Sequence, residues 1–327
     1  MKAWVIDRHG DPTVFAETEV APPEVKAGHV LIEVAATSVN PIDTKLRQNP
    51  APFAPALPAI LHGDVAGTVA AVGSGVAGFK PGDAVYGCAG GVRGQGGALA
   101  DFMLADARLL APKPQSLSMA EAAALPLVAL TAWEGLMDMA RLRAGQSVLI
   151  HGAGGGVGHV AAQIAKAAGA AVVGTGSRPE TLALIRSLGV TAADYKSQGG
   201  ADLVKTYTGG RGFDVVFDMT GADALAATAE TVRTRGQVVS IAGFGRVNMT
   251  SLFMKGVSIH FVFMIIPMLT GEGRERHGEI LRSVARLADQ GRLKPHLDSE
   301  HFTFAQVADA HRRLESGKAV GKVVLTR

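Results

Sequence analysis

Cysteine is nearly absent from this sequence. Its 327 residues include one cysteine, Cys88. A single cysteine excludes an internal disulfide framework, and it excludes any metal site that needs several thiolates. The composition therefore favours a reducing compartment, and we expect a cytoplasmic protein.

Long apolar runs are also missing, although 47% of the residues are hydrophobic. A membrane-spanning helix needs a run of about 18 apolar residues, and no such run occurs. The most apolar stretch, residues 257–269, is too short and contains His260 and Pro267. The N-terminal segment MKAWVIDRHG soon turns polar, so we expect neither a signal peptide nor a membrane partner.

The chain also lacks a large excess of charge of either sign. The formal net charge is only +3, and the basic residues are scattered along the chain rather than clustered. Nucleic acid is therefore not an expected partner. No Ser-His-Asp or Cys-His arrangement stands out, so nucleophilic catalysis has no candidate residues.

Two styles of patterning divide the chain, whose length allows about two domains. The first part, up to about residue 110, reads as short strands between glycine and proline turns, which is typical of a small barrel. From Gln146 onward apolar runs alternate with helical patterns, which predicts a parallel sheet covered by helices on both faces. The tail returns to the first style, with a helix over residues 304–316 and a strand over residues 321–326. In the alternating part we predict strands at residues 148–150, 171–174, 215–217, 238–242 and 257–262, and helices at residues 159–168, 179–188, 224–232 and 278–290.

A glycine turn between an apolar strand and a helix is the most informative motif. Residues 148–158 read VLIHGAGGGVG, an alanine-rich helical pattern follows, and a second apolar run comes at residues 171–174. This order predicts one strand–turn–helix–strand unit. Glycines let the backbone approach a phosphate, and the N-terminus of the helix attracts the anion. The motif therefore predicts a dinucleotide site, with a tight glycine turn that binds nothing as the alternative.

The end of the second strand favours NADPH over NADH. An NAD site usually carries an acidic residue there, which bonds the ribose hydroxyls. Here Gly176 occupies that slot, and Ser177 and Arg178 follow. An arginine fork and a hydroxyl suit a 2′-phosphate, so we expect NADPH, although Arg178 as a solvated charge at a helix start is the alternative. Tyr195, after a third short run, could also reach the phosphate.

Several motifs, in order along nearly the whole chain, resemble the medium-chain dehydrogenase/reductase superfamily. Within that superfamily the chain resembles the zinc-free quinone oxidoreductase branch, the zeta-crystallin-like proteins. The motifs are SVNPIDTKLR at residues 38–47, GDVAGTVAAVG at 63–73, FKPGDAVYG at 79–87, AAALPLVALTAWEGL at 122–136, the glycine turn, and GKVVL at 321–325.

The resemblance implies an α/β protein with two domains. Residues 1–121 and 268–327 would form a catalytic domain with a GroES-like β-barrel, and residues 122–267 would form a Rossmann domain with a doubly wound parallel sheet. Cofactor and substrate would share the cleft between the domains. The predicted cofactor contacts are Asn40, Thr131, Gly154, Gly155, Gly156, Val157, Gly176, Ser177, Arg178, Tyr195, Thr220, Ala242, Gly243, Phe244, Phe263 and Lys322.

The resemblance also implies an oligomer. Family members are usually homodimers or homotetramers that are joined partly through the last strand of the Rossmann sheet. The apolar run at residues 257–268 suits that role, with an ordinary buried edge as the alternative.

Zinc is not expected, because the ligand positions of the zinc-binding relatives hold other residues here. Those relatives place a catalytic cysteine where this chain has Asn40, and a Gly-His-Glu segment where it has His62, Gly63 and Asp64. The histidine slot therefore falls on Gly63. Zinc needs three or four Cys, His or carboxylate ligands. We expect Asp64 to be structural, and His62 to face the cleft or a hydrogen-bond partner.

Asn40 and Lys45 are the predicted catalytic residues. Asn40 takes the vacated ligand position, where its amide could donate to the nicotinamide ribose or to a substrate oxygen. Lys45 is a candidate proton donor at a position where related reductases often carry tyrosine, and a solvated or salt-bridged lysine is the alternative. Thr131 is expected near the nicotinamide. Lys322 is expected either to meet the cofactor or to be a lysine on a strand edge.

The expected function is metal-independent reduction of quinones or activated alkenes by NADPH. Such substrates accept hydride easily because the developing negative charge spreads onto oxygen. Reduction of a simple ketone would instead need zinc or a strong acid to stabilise the alkoxide. One alternative is an NADP-linked alcohol or aldehyde dehydrogenase. Another is a non-catalytic NADPH-binding protein with a structural or regulatory role. The sequence does not rank quinones, enones and aldehydes as the physiological substrate.

Overall fold

The computed structural model describes residues 1–241 and 245–327, and the side chains of these residues apart from 222–224. The described residues form two compact units. The first unit comprises Met1–Leu127 and Ile265–Arg327, and the second comprises Val128–Met264. The sequence-based domain limits, at 121/122 and 267/268, stay a prediction.

The first part of the chain is rich in strands and holds two short helices before a third begins. Single 3-10 turns lie at Pro12–Val14 and Ala107–Leu109. The regular elements are β1 (Lys2–Ile6), β2 (Phe15–Glu19), β3 (His29–Ser38), α1 (Pro41–Gln48), β4 (Ala59–Ile60), β5 (Asp64–Val72), β6 (Ala84–Cys88), β7 (Phe102–Asp106), β8 (Leu110–Pro112), α2 (Met119–Ala123) and α3 (Pro126–Trp133).

The middle of the chain alternates strands and helices after a π-helical turn at Glu134–Met139. Its elements are β9 (Ser147–Ile150), α4 (Gly156–Ala167), β10 (Ala171–Gly176), α5 (Pro179–Ser187), β11 (Thr191–Asp194), α6 (Gly200–Thr208), β12 (Phe213–Asp218), α7 (Ala222–Thr231), β13 (Val232–Ser240), α8 (Thr250–Met254) and β14 (Ser258–Phe261). The last segment holds α9 (Ile266–Thr270), α10 (Arg274–Asp289), β15 (Phe302–Thr303), a 3-10 turn at Phe304–Gln306, α11 (Val307–Glu315) and β16 (Val324–Thr326).

The second unit is a six-stranded sheet in the order β11-β10-β9-β12-β13-β14. All of its strand pairs are parallel. Counted from β9, this is the order 3-2-1-4-5-6 of doubly wound dinucleotide-binding folds. The predicted parallel sheet is therefore confirmed. Its switch point lies between β9 and β12, where the carboxyl ends of the strands form a ligand crevice in such folds.

The strands of this sheet are apolar throughout because both of their faces are covered. Val148, Leu149 and Ile150 of β9 are fully buried, and so are Val215, Val216 and Phe217 of β12. The core on one side continues through Leu149, Val216 and Val238 to residues of the flanking helices. This rigid layer positions the strand ends at which the glycine turn begins.

The first unit contains a seven-stranded sheet in the order β15-β16-β3-β5-β6-β8, with β7 also paired to β3. A smaller sheet has the order β2-β1-β4. Apart from the parallel pair β15–β16, these strands pair antiparallel. The C-terminal strand β16 lies against β3, so the last residues of the chain complete a sheet that begins near its N-terminus.

Several predicted element limits were wrong. The strand expected at residues 238–242 starts earlier, at Val232, and ends at Ser240, while the tail strand expected from residue 321 starts only at Val324. The helix expected from residue 278 begins one turn earlier, at Arg274. Helices α1 and α6 were not predicted. Both are short, at eight and nine residues, so a helical period has little room to show, and α6 begins at the second residue of a glycine pair.

None of the helices in the described parts of the chain is long and apolar enough to cross a bilayer.

Candidate functional site

The glycine turn of the second unit leads directly into the N-terminus of α4. Gly152 has a φ of +70°, which favours glycine, and a Cβ at Gly158 would overlap the carbonyl oxygen of Gly152. Gly155 is the N-cap of α4 and provides no side-chain cap. A Cβ on Gly155 would meet only the Gly152 oxygen, at 3.3 Å. The first turn of α4 is therefore open to a ligand, and its free N–H groups suit a phosphate.

The predicted pyrophosphate contacts lie around this helix start. Gly154 is buried, and a Cβ there would press on the side chain of Thr181 at 2.7 Å. Gly155 is exposed, and Gly156 and Val157 in the first turn of α4 are half-buried. Gly154 therefore serves close packing of the turn, while the backbone from Gly155 to Val157 faces the open side.

The end of β10 carries the residues that were predicted to select NADPH. The Ser177 hydroxyl donates to the Tyr195 hydroxyl at 3.0 Å, and the Tyr195 N–H donates to the Gly176 carbonyl at 3.2 Å. Tyr195 is 52% exposed. Arg178, which is half-buried, is the N-cap residue of α5. These residues form one polar rim at the carboxyl end of β10.

Asp218 is a polar residue of this edge that the sequence reading did not single out. It ends β12 and is fully buried. Its carboxylate accepts the N–H of Thr220 at 3.0 Å and the Thr220 hydroxyl at 2.5 Å, and the Ser240 hydroxyl lies 3.4 Å away. Asp218 thus orients the exposed Thr220, which was a predicted cofactor contact. The signal in the sequence was an acidic residue directly after the apolar run VVF.

His151 and Thr175 also meet at the strand ends. The Thr175 hydroxyl lies 3.5 Å from Nδ1 of His151 and accepts the N–H of Gly152 at 3.3 Å. Burial lowers the pKa of His151, and the nearby Asp218 carboxylate opposes that shift. The imidazole at the start of the glycine turn is therefore neutral near pH 7.

Five predicted cofactor contacts of the second unit remain, and the structure describes two of them. Thr131 is buried on α3, and Phe263, just after β14, is 37% exposed. The predicted contacts Ala242, Gly243 and Phe244 lie outside the described residues.

The first unit contains a group of five side chains that we call the buried polar cluster. Its members share burial and mutual hydrogen bonds, and they are Ser38, Asn40, Asp43, Asp64 and Lys322.

Asn40 and Asp43 form a capping box at the start of α1. The Asn40 N–H donates to the Asp43 carboxylate at 2.8 Å, and Pro41 occupies the first turn, where its missing N–H costs nothing. Burial raises the pKa of Asp43 to about 7, and the charge of Asp64 adds to this shift, while the Asn40 N–H and the Lys322 ammonium oppose it. Near neutral pH, Asp43 is therefore partly protonated.

Asp64 is the acceptor at the centre of the buried polar cluster. Its Oδ2 accepts the Ser38 hydroxyl at 2.6 Å and the Asn40 amide at 2.8 Å, and its Oδ1 accepts the N–H of Leu127 at 2.8 Å. The Lys322 ammonium lies 3.6 Å from Oδ2. A carboxylate with three hydrogen bonds and a cation beside it is well satisfied although it is fully buried.

Lys322 is buried, so the interpretation of this residue as a lysine on a strand edge was wrong. Its Nζ donates to Oδ1 of Asn40 at 2.5 Å and lies 3.4 Å from the Val39 carbonyl. Burial lowers the pKa of Lys322, and the carboxylates of Asp64 and Asp43 oppose that shift. Lys45, the predicted proton donor, lies instead on the exposed side of α1.

His62 faces a hydrogen-bond partner within the first unit. Its Nε2 lies 2.9 Å from Nε2 of His311, and the two rings stack with centroids 5.2 Å apart. No signal in the sequence pairs these residues, because they lie on segments far apart in the chain.

The side chains at the superfamily's zinc positions do not fit a zinc ion. Zinc needs at least three deprotonated ligands directed at one point. Here the Asn40 amide is bonded to Asp64 and Lys322, and the Lys322 ammonium beside Asp64 would repel a dication. Burial raises the pKa of the Cys88 thiol, which opposes the thiolate that zinc requires. Within residues 1–241 and 245–327, no three His, Cys, Asp or Glu side chains are grouped so as to hold a metal.

Two family models match the chain. The model described as "Alcohol dehydrogenase GroES-like domain" matches residues 26–115, and the one described as "Zinc-binding dehydrogenase" matches residues 188–325. The first match confirms the GroES-like domain that was expected in the N-terminal part.

Curated relatives match over almost the whole chain. A 2-methylene-furan-3-one reductase from Solanum lycopersicum is 37% identical over 99% of this chain and 79% of the relative. A chloroplastic NADPH-dependent alkenal/one oxidoreductase from Arabidopsis thaliana is 36% identical with the same coverage. A quinone oxidoreductase from Rattus norvegicus is 32% identical over 99% of this chain and 97% of the relative.

Solved structures match as completely. An alcohol dehydrogenase superfamily protein from Novosphingobium aromaticivorans has a TM-score of 0.95 and 42% identity, and the match covers 100% of this chain and 99% of the other. A quinone oxidoreductase from Escherichia coli, solved in complex with NADPH, has a TM-score of 0.88 and 27% identity with full coverage of both chains.

Proposed function

Because the chain belongs to the medium-chain dehydrogenase/reductase superfamily, in its quinone oxidoreductase branch, we propose that it reduces quinones or activated alkenes with NADPH and without a metal ion. The chain is accordingly an oxidoreductase. The observation that carries the proposal is the similarity over 99% of the chain to relatives named as reductases of alkenals, enones and quinones.

NADPH, when bound, supplies the hydride. The open first turn of α4 suits its pyrophosphate, with backbone N–H groups from Gly155 to Val157. Ser177, Arg178 and Tyr195 suit the 2′-phosphate, since a hydroxyl pair and a guanidinium stand there and Gly176 leaves the acidic slot empty. This chemistry supports NADPH over NADH.

In this proposal, residues of the first unit orient the bound ligand and protonate the substrate. Asn40 has its amide held in one direction by Asp64 and Lys322, which suits a positioning role more than proton transfer. Lys45 is exposed on α1 and is the candidate proton donor. A quinone or enone needs only this help, because the charge that develops on hydride addition spreads onto a carbonyl oxygen.

Independence from zinc is supported by the buried polar cluster. A buried ammonium already neutralises Asp64, and a metal placed there would have to displace it. The reaction is therefore expected to proceed in the presence of a chelator.

The proposal includes a homodimer formed through β14. This strand is the outer edge of the parallel sheet, and Phe261 on it is 52% exposed. An exposed apolar strand edge is a template for pairing with a second chain. The proposal also places the protein in the cytoplasm, which the single buried Cys88 supports. Recovery of the native protein in a membrane or secreted fraction would contradict that placement.

The test is an NADPH-oxidation screen with purified protein. The panel contains 1,4-benzoquinone, 9,10-phenanthrenequinone, an enone such as 3-buten-2-one, and simple aldehydes, each with and without EDTA. Turnover of a quinone or the enone that EDTA leaves unchanged supports the proposal. One zinc per chain by metal analysis, together with turnover of alcohols or aldehydes only, would establish an alcohol dehydrogenase instead. Tight NADPH binding without turnover of any substrate would favour a non-catalytic role.

A further inference from the structure

The Asn40 side chain lies between two groups of opposite charge. Its Nδ2 donates to the Asp64 carboxylate at 2.8 Å, and its Oδ1 accepts from the Lys322 ammonium at 2.5 Å. Asn40 is 1% exposed, so water competes little for either bond. Rotating the amide by half a turn would set its oxygen against the carboxylate and its NH2 group against the ammonium. The charges therefore permit only one orientation of the amide.

Each charged group is itself held in place. Asp64 is fixed by the Ser38 hydroxyl and by the N–H of Leu127 in the first turn of α3. Lys322 follows Gly321, and its backbone N–H and carbonyl bond to His296 and Asp298. Two separate parts of the first unit therefore fix the orientation of the Asn40 amide.

We propose that Asp64 and Lys322 are positioning residues that lock the Asn40 amide in a single orientation for hydride transfer. The catalytic part of this inference rests on the proposed function. An amide carries two hydrogens on Nδ2, and because Asp64 accepts one of them, the other also keeps a fixed direction. That hydrogen is the one with which Asn40 can orient a ligand.

The asparagine content of the chain permits a direct measurement. The sequence contains three asparagines, Asn40, Asn49 and Asn248, and the last two are exposed. Protein labelled with 15N at asparagine side chains therefore shows three NH2 groups by NMR. One of them, identified by its loss in Asn40→Ser, is expected to exchange its hydrogens with solvent at least 100-fold more slowly than the other two.

Variants then test what locks the amide. In Lys322→Met the Asn40 hydrogens are expected to exchange at least tenfold faster than in the wild type, and Lys322→Arg, which keeps a cation, is expected to restore part of the protection. The double variant Asp64→Ser/Lys322→Met removes both charges and adds no further side-chain amide, so it leaves no lone buried charge and is expected to fold even if Lys322→Met does not. Its exchange is also expected to be at least tenfold faster.

Tyr86→Phe is the matched control. It removes one buried hydrogen bond of the first unit, from the Tyr86 hydroxyl to the Leu281 carbonyl at 2.6 Å, and leaves the buried polar cluster intact. Exchange at Asn40 and kcat are expected to stay within twofold of the wild type. If Tyr86→Phe accelerated Asn40 exchange as much as Lys322→Met, general loosening of the unit would account for the effect and the proposal would be overturned.

Kinetics separate positioning from cofactor binding. With the best substrate of the screen, Lys322→Met is expected to lower kcat at least tenfold and to change the NADPH dissociation constant less than threefold. A tenfold weaker NADPH binding with unchanged kcat and unchanged Asn40 exchange would make Lys322 a cofactor contact and overturn the proposal. If the wild type turned over no substrate, the proposed function would fail, while the exchange rates would still decide whether Asp64 and Lys322 lock the amide.

Discussion

His62 and His311 lie with their Nε2 atoms 2.9 Å apart, although 249 positions separate them in the chain. The Thr37 hydroxyl donates to the Asp64 carbonyl at 2.6 Å and lies 3.4 Å from Nδ1 of His62, so it can only accept from that nitrogen. His62 is then protonated at Nδ1, and His311 donates from Nε2. Protonation of His62 at Nε2 would set two N–H groups against each other across this contact.

Acid is therefore expected to destabilise the fold through this pair. Burial lowers the pKa of His62 to about 3, and burial also holds the pKa of His311 well below its usual range, with the neighbouring His62 adding to it. Unfolded histidines bind protons near pH 6.5, so below that pH the unfolded chain binds more protons than the folded one. The free energy of unfolding falls with falling pH by about 1.4 kcal/mol per pH unit for each imidazole.

His311→Gln removes one of the two titrating rings. The slope of the unfolding free energy between pH 6 and pH 4.5, measured by urea denaturation, is expected to be shallower by roughly 1 kcal/mol per pH unit than in the wild type. The same slope in both proteins would mean that His311 titrates normally in the folded state.

Asp43→Asn is expected to stabilise the protein more at pH 8 than at pH 5. Burial raises the pKa of Asp43 to about 7, so the folded chain keeps a proton that the unfolded chain loses near pH 4. The stabilisation that protonated Asp43 gives the folded wild type is therefore fully present below pH 4 and is lost as the pH rises through 7. Asparagine can still accept the Asn40 N–H and does not titrate. Its advantage should grow by more than about 1 kcal/mol between pH 5 and pH 8.

Asp309→Asn is the control for this comparison. Asp309 occupies the equivalent first-turn position of α11 but is exposed. Its substitution should show no gain at pH 8. A gain equal to that of Asp43→Asn would point to overall charge rather than to burial.

Arg178→Ala is expected to weaken NADPH binding by about 10- to 100-fold, the range for losing a charge-assisted hydrogen bond, and to change NADH binding less than about threefold. The physical reason is that only NADPH carries the 2′-phosphate. Titration calorimetry with both cofactors measures the difference. Arg186→Ala, which removes the same charge from the exposed end of α5, should affect neither. Equal losses for NADPH and NADH in Arg178→Ala would place the guanidinium elsewhere.

Gly155→Ala tests the open start of α4. The added Cβ meets only the Gly152 oxygen, at 3.3 Å, so the variant should fold, but the methyl group occupies the face from which a phosphate approaches. NADPH binding is expected to weaken by at least about tenfold, which corresponds to the loss of one charge-assisted hydrogen bond of about 1.5 kcal/mol. Gly199→Ala provides the comparison, because Gly199 caps α6 in the same extended conformation and its Cβ would meet only the Asp202 carboxylate, at an ordinary contact distance of 4.0 Å. Unchanged NADPH affinity in Gly155→Ala would show that the phosphate does not bind at this turn.

Phe261→Arg is expected to convert a dimer into a monomer. It places a charge on the exposed edge of β14, where pairing with a second chain would bury it at a cost of several kcal/mol. Light scattering after size exclusion gives the mass directly. Val25→Arg introduces the same charge at another exposed apolar residue, in the first unit, and should leave the mass unchanged. A wild-type protein with the mass of one chain would contradict the dimer itself.

Local patterns were sufficient for the central strands and the glycine turn of the second unit. The apolar runs of β9 and β12 and the glycine turn of residues 148–158 are contiguous in sequence, and each encodes its own element by periodicity and backbone freedom. The parallel sheet, the open start of α4 and the polar end of β10 could therefore be predicted before any contact was known. The limits of β13 could not, because its early residues are polar and its pairing with β12 shifts register between Val232 and Gln237.

The buried polar cluster was decided by tertiary structure. Sequence alone showed that Asn40 and Asp64 stand where other family members bind zinc, but it left Lys322 as a cofactor contact or an edge lysine. The fold brings Lys322 across 282 positions of chain onto Asn40, because β16 pairs with β3. The Lys322 ammonium lies beside the Asp64 carboxylate because an unpaired charge at this buried site would be strongly destabilising. The sequence by itself determined the dinucleotide-binding fold and the family, while only the long-range pairing of the two chain ends decided how Asn40 is held.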